Sequence, residues 1–101
     1  MRLLYDGITA SNLPPDAVIV AGYVDGLFRW KDSDWARFTR AIKVRIAAFA
    51  STQDGQVLDV EAGDATPAQA PAWVLARRVK GVDPTIYTSY GNLGHTWGVS
   101  D

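Results

Sequence analysis

The chain has 101 residues, 48% of them hydrophobic and 21% charged, which suits one compact domain with a single core and is too little for two. Ten basic against eleven acidic residues leave a formal charge of −1, so the basic footprint of a nucleic-acid binder is missing and nucleic acid is not an expected partner. No cysteine is present, which excludes disulfides, thiolate metal sites and cysteine nucleophiles.

At the N-terminus, Met1-Arg2-Leu3-Leu4-Tyr5-Asp6 reaches a carboxylate before a signal-peptide hydrophobic region can form, so no secretion signal is expected. The longest apolar run, 17–24, is far short of the ~20 residues that span a bilayer, and no membrane segment is expected. Residues 3–6 form a candidate strand stopped by Gly7, and Pro14-Pro15 breaks regular structure across 12–16. Ala17-Val18-Ile19-Val20-Ala21 is apolar at every position, the pattern of a strand covered on both faces in a parallel sheet with helices outside. Ser33 is a candidate cap for a short helix carrying Trp35, Phe38 and Ile42 at i, i+3 and i+7, and residues 44–49 are then a third strand.

Residues 56–61 read as a fourth strand between the turn formers Asp54-Gly55 and Gly63-Asp64. Thr66-Pro67-Ala68-Gln69 has a capping hydroxyl, proline at the first helical position and glutamine at the third, which is a capping box. The helix it opens is expected to bury Ala72, Leu75, Ala76 and Val79, to set Arg77, Arg78 and Lys80 against the negative end of its dipole, and to close on a left-handed Gly81. Residues 84–88 return as a fifth strand. The stretch 91–101 is rich in glycine, lacks periodicity and reads as a loop or tail, or as a segment ordered only by a partner. The order β, β, α, β, β, α, β predicts an α/β fold: a partial (β/α) barrel, or an open, mostly parallel sheet with flanking helices, spanning 1–90.

Asp59 and Glu61, in Val57-Leu58-Asp59-Val60-Glu61, are two apart on a predicted strand, so both leave the same face with Cα atoms about 6.5 to 7 Å apart. Leu58 and Val60 take the opposite face, toward the helix layer. The pair sits at the C-terminal end of its strand, where parallel sheets and barrels carry their sites. Two carboxylates buried side by side drive their pKa values apart, so one holds a proton while the other stays ionised, as glycoside hydrolysis requires. On spacing alone the commoner case is a pair of solvated loop acids, or a cap and an ion-pair partner for Arg45.

Tyr23, Trp30, Tyr87, Tyr90 and Trp97 lie at or after predicted strand ends, where aromatic rings can stack on sugars, whereas Trp35 and Trp73 fall on helices and fit the core. Asp25, in Tyr23-Val24-Asp25-Gly26, also ends a strand; it is first a turn residue and second a further cleft acid. His95 is the only histidine, cannot assemble a metal cluster by itself and reads as a solvated loop residue. No G-x-S-x-G elbow is present, and the glycines form neither a phosphate loop nor a dinucleotide fingerprint, so no nucleotide cofactor is expected.

Leu58-Asp59-Val60-Glu61, the helix with Pro71-Ala72-Trp73, and Pro84-Thr85-Ile86-Tyr87-Thr88-Ser89 together resemble the middle of a glycoside hydrolase family 25 lysozyme and the related glycoside-hydrolase-like barrels of actinobacteria and their phages. The resemblance runs across 3–90. It implies that Glu61 is the general acid and Asp59 its carboxylate partner. Tyr5-Asp6-Gly7, similar to the family's first-strand motif, would bring Asp6 to the same cleft, and Tyr87 would line it. The implied activity is a cofactor-free and metal-free cleavage of peptidoglycan glycan strands between N-acetylmuramic acid and N-acetylglucosamine, as in a phage lysin; the compartment stays open, compatible with host cytoplasm then cell wall or with a phage particle.

A complete family domain is nearly twice this long, and a closed eight-stranded barrel takes at least ~200 residues, so five strands are expected to leave the sheet open after the Tyr87 strand. Such an edge is a candidate surface for homo-oligomerisation or for docking another protein. The alternative to an enzyme is therefore a non-catalytic structural or binding module of a phage particle or cell-wall-associated assembly that keeps the hydrolase-like scaffold.

Overall fold

The apolar runs of this chain are short and punctuated, so it forms short strands joined by loops, turns and two helices. The computed structural model describes residues 4–6, 9–88 and 96–99, the first and last of these segments by backbone alone. The strands are β1 (Leu4–Asp6), β2 (Ile19–Tyr23), β3 (Ile42–Ala47), β4 (Val57–Val60), β5 (Thr85–Thr88) and β6 (Thr96–Val99). Two α-helices, α1 (Asp32–Ala36) and α2 (Ala70–Val79), and two single 3-10 turns, Ala10–Asn12 and Pro67–Gln69, connect them. One sheet holds all six strands in chain order. Strands β1 to β5 are parallel neighbours, and β6 runs antiparallel to β5. The class is α/β, with an open and mostly parallel sheet in place of a closed barrel.

The sheet divides the core by strand parity. On the helix face, Val20 packs with Ala10, Leu13, Ala17, Trp30, Trp35 and Phe38, and further along Ala47, Leu58 and Val60 pack with Ala65, Trp73 and Val74. On the other face Ala21, Ile46 and Val57 form a smaller cluster flanked by Tyr23, Val44 and Tyr87. Leu58 and Val60 thus face the helices, as their alternation with Asp59 and Glu61 predicts.

Several local expectations are corrected. The third strand begins and ends two residues earlier than 44–49, because the Ile42 N–H is drawn to the Val18 carbonyl while the Ala48 and Phe49 N–H groups leave the ladder for the Asp25 carboxylate. Helix α1 has only five residues, so Phe38 lies beyond it and Ile42 opens β3. Its N-terminus is closed by Asp34, whose carboxylate accepts the Lys31 N–H at 2.8 Å, and not by Ser33. The stretch expected to be a loop or tail contains β6, which pairs with β5 from Thr85↔Val99 to Thr88↔Thr96 and takes up the edge expected to stay open.

The apolar face of α2 is also not the expected one. Trp73, Val74 and Arg77 are buried, whereas Leu75 is 66% and Val79 78% exposed. A buried indole removes more apolar surface from water than the alanine-rich stripe, so the helix turns Trp73 toward Leu58 and Val60. The capping box forms as predicted, with the Thr66 N–H donating to Gln69 Oε1 at 2.9 Å, but it opens the 3-10 turn Pro67–Gln69, and α2 begins only at Ala70. Gly81, with φ +82°, closes the helix in the left-handed region.

Candidate active site

The C-terminal ends of β2 and β4 bring a set of acids together. Asp59, the third residue of β4, is buried at 1% exposure on the face away from the helices, and Tyr23 at the end of β2 donates its phenol O–H to Asp59 Oδ2 at 2.7 Å. After β4 the chain turns back. The Asp64 N–H donates to the Glu61 carbonyl at 2.9 Å and the Ala65 N–H to the Asp59 carbonyl at 3.2 Å. Gly63, at φ +88°, occupies the third position of this turn, where a side chain is disfavoured. The result is a triad: single carboxylate oxygens of Asp59, Glu61 and Asp64 all lie within 4.8 Å of one another, with Asp59 buried and the other two half-buried.

Its electrostatics follow from that crowding. Burial raises the Asp59 carboxyl to about 7, and the Glu61 carboxylate beside it adds to the rise, while the Tyr23 hydrogen bond opposes it. Asp64 is also raised, first by burial and then by the charge of Asp59. The Tyr23 phenol is pushed well above its ordinary range by burial and by its bond to Asp59, so it stays a donor. Asp59 Oδ1 is buried and has no hydrogen-bond donor. The groups beside it are carboxylates, which accept and do not donate unless one of them carries a proton.

The predicted site residues separate. Asp59, Glu61 and Tyr23 meet. Tyr87 is in register with Asp59 on the neighbouring strand and packs half-buried beside Ala21, Ile46 and Val57. The backbone of Asp6 is in register with Ala21, and its side chain lies outside the described part of the chain. Tyr90 and His95 lie outside the described residues, and Trp97 contributes its backbone opposite Tyr87.

Two assignments are corrected. Trp30 is not a sugar platform: at 2% exposure it packs between Trp35 and Phe38, and its ring fills the space over Gly22 that a Cβ would need. Asp25 is committed to the backbone, accepting the Ala48 N–H at 2.6 Å, the Phe49 N–H at 3.2 Å and the Thr52 hydroxyl at 2.5 Å. It reaches the site through its charge, which helps to raise Asp64.

Arg45 is no partner of the pair, because it forms a two-pronged salt bridge with Asp54 at 3.1 and 2.6 Å. That bond holds Asp54 below its ordinary range. Asp64 is the residue the strand pattern misses. The signal for it was the Gly63-Asp64 turn, which folds the next acid back onto the strand end. The chain matches no protein-family model, no curated protein and no solved structure.

Proposed function

We propose that this protein is a peptidoglycan-directed glycoside hydrolase of the muramidase type, with Glu61 donating the proton and Asp59 as its carboxylate partner. The observation that carries the reading is a pair of carboxyls that share one proton at a parallel strand end, Asp59 buried and raised to about 7 with the half-buried Glu61 beside it. Asp59 is too enclosed to touch a glycosidic oxygen, so the half-buried Glu61 is the group that meets substrate. Asp59 shares the proton and Tyr23 holds it in place. Tyr87, half-buried beside them, supports a glycan chain, and Phe28 and Phe49, 45% and 43% exposed on the loops tied by Asp25, offer further surface for sugar rings. The D-x-E and P-T-I-Y-T resemblance to family 25 lysozymes points the same way.

The test is release of reducing ends from purified cell walls by the wild type and by Glu61→Gln. The expected result is measurable release by the wild type and a loss of at least about 100-fold in the variant at unchanged circular dichroism. Folded wild-type protein that releases none sinks the reading. A second reading, a non-catalytic module of a phage particle or wall-associated assembly, is favoured by one feature. Among the described residues no helix packs in the cluster of Ala21, Ile46 and Val57, whose partly buried apolar neighbours are Tyr23, Val44 and Tyr87.

A further inference from the structure

The geometry points to a binding site for a hard divalent cation, of the calcium or magnesium class, formed by Asp59, Glu61 and Asp64. Two independent features carry it. The first is the arrangement: one oxygen from each of three carboxylates lies within 4.8 Å of the others. Ligands around a single calcium ion, each at 2.3–2.6 Å, lie at most about 5 Å apart, so the three fit one coordination sphere with little movement. The second is Asp59 Oδ1, an oxygen of a side chain only 1% exposed that no donor reaches. A buried carboxylate oxygen without a partner is costly, and a cation bound among the three acids would satisfy it.

The donor set decides the chemistry. Three carboxylate oxygens with no cysteine in the chain select hard cations over zinc or copper. Glu61 and Asp64 are half-buried, which leaves room for waters to complete the shell. Rigidity comes from the turn that joins them: the 61–64 hydrogen bond and Gly63 place Asp64, and the Tyr23 hydroxyl fixes Asp59 through its other oxygen. Among the described residues no salt bridge to the triad is formed, and Arg45 is paired with Asp54. The consequence for catalysis rests on the hydrolase reading: a bound cation takes the oxygens that would carry the proton, and it therefore inhibits. Binding itself stands apart from that reading.

The experiment uses the whole chain after treatment with chelator. Terbium luminescence excited through Tyr23 and neighbouring aromatic residues, and calorimetric titration with calcium and magnesium, are expected to show saturable binding of one ion per chain. Asp64→Asn should weaken it at least tenfold. Asp54→Asn, which removes an acid held by Arg45, should leave it unchanged. Circular dichroism checks that each variant is folded, and Asp64, half-buried in a turn, is the variant expected to keep the fold even where Asp59→Asn does not. Folded wild-type protein with no saturable uptake overturns the proposal, as does an Asp64→Asn protein that binds as well as the wild type. A cell-wall assay run with and without calcium separates the two claims: binding without any hydrolysis leaves the cation site standing and removes the enzyme.

Discussion

Asp59 combines near-complete burial with a carboxyl raised from 3.8 to about 7, and that combination makes stability depend on pH in a definite direction. Between these two values the folded protein keeps a proton that the unfolded chain has already released. Stability therefore falls as pH rises through this window and levels off above it. Asp64, raised as well, acts in the same sense. Thermal melts in chelator between pH 4 and 8 should show the wild type losing up to a few kcal/mol across the window. Asp59→Asn should flatten most of that dependence, and a wild type whose melting temperature climbs with pH contradicts the assignment.

Tyr23→Phe removes the hydrogen bond that favours the charged carboxylate, so carbon NMR of the Asp59 carboxyl should find its titration moved to still higher pH. At this scale the sequence was informative about Asp59 and Glu61, because strand alternation is a local rule. It was silent on Tyr23 as their partner, since Tyr23 and Asp59 are 36 residues apart and meet only through β2, β3 and β4.

Helix α2 acts as a clamp on a connection that has no helix of its own. The loop between β3 and β4 is bound from above by α2: the Trp73 indole N–H donates to the Thr52 carbonyl at 2.8 Å, and Arg77 donates to the Gly55 and Gln53 carbonyls, each at 3.0 Å. Within the loop, Gly55 has φ +92°, and a Cβ there would stand 2.6 Å from the Arg45 carbonyl oxygen. Arg77→Met keeps much of the stem's packing and removes the donors, so urea unfolding should show a loss of about 2 to 3 kcal/mol, the range for hydrogen bonds to a charged group when one of the acceptors, the Gly55 carbonyl, is buried. Leu75→Ala, at a side chain 66% exposed, should stay within about 0.5 kcal/mol.

The opposite ranking would restore the helix face suggested by apolar periodicity. That periodicity located the helix and its cap correctly and mistook its orientation. It counts apolar residues equally, whereas packing is dominated by the one large indole, and Arg77 buries its stem only because carbonyls from a distant loop receive its head.

Across the whole molecule, five parallel strands and one antiparallel strand make an open sheet with two edges, β1 and β6. Parallel strands place every strand's C-terminal end on one side, so the loops after β2 and β4 are neighbours in space, and Asp25 and Asp64 reach the same region. The edge expected after β5 is filled by β6, which moves any strand-to-strand association to β1 or β6. Among the described residues no helix is long and apolar enough to cross a membrane.

The sequence by itself determined the α/β class, the parallel order, the strand face of Asp59 with Glu61 just past the strand end, and the capping box and left-handed glycine that bracket the second helix. Each depends on alternation, caps or punctuation within a few residues. Tertiary structure alone decided that Trp30 is core, that Asp25 serves the backbone, that Asp64 joins the pair, and that β6 closes the edge beside β5. Those outcomes depend on which distant groups compete for the same space, hydrogen bonds and proton, and no local pattern records that competition.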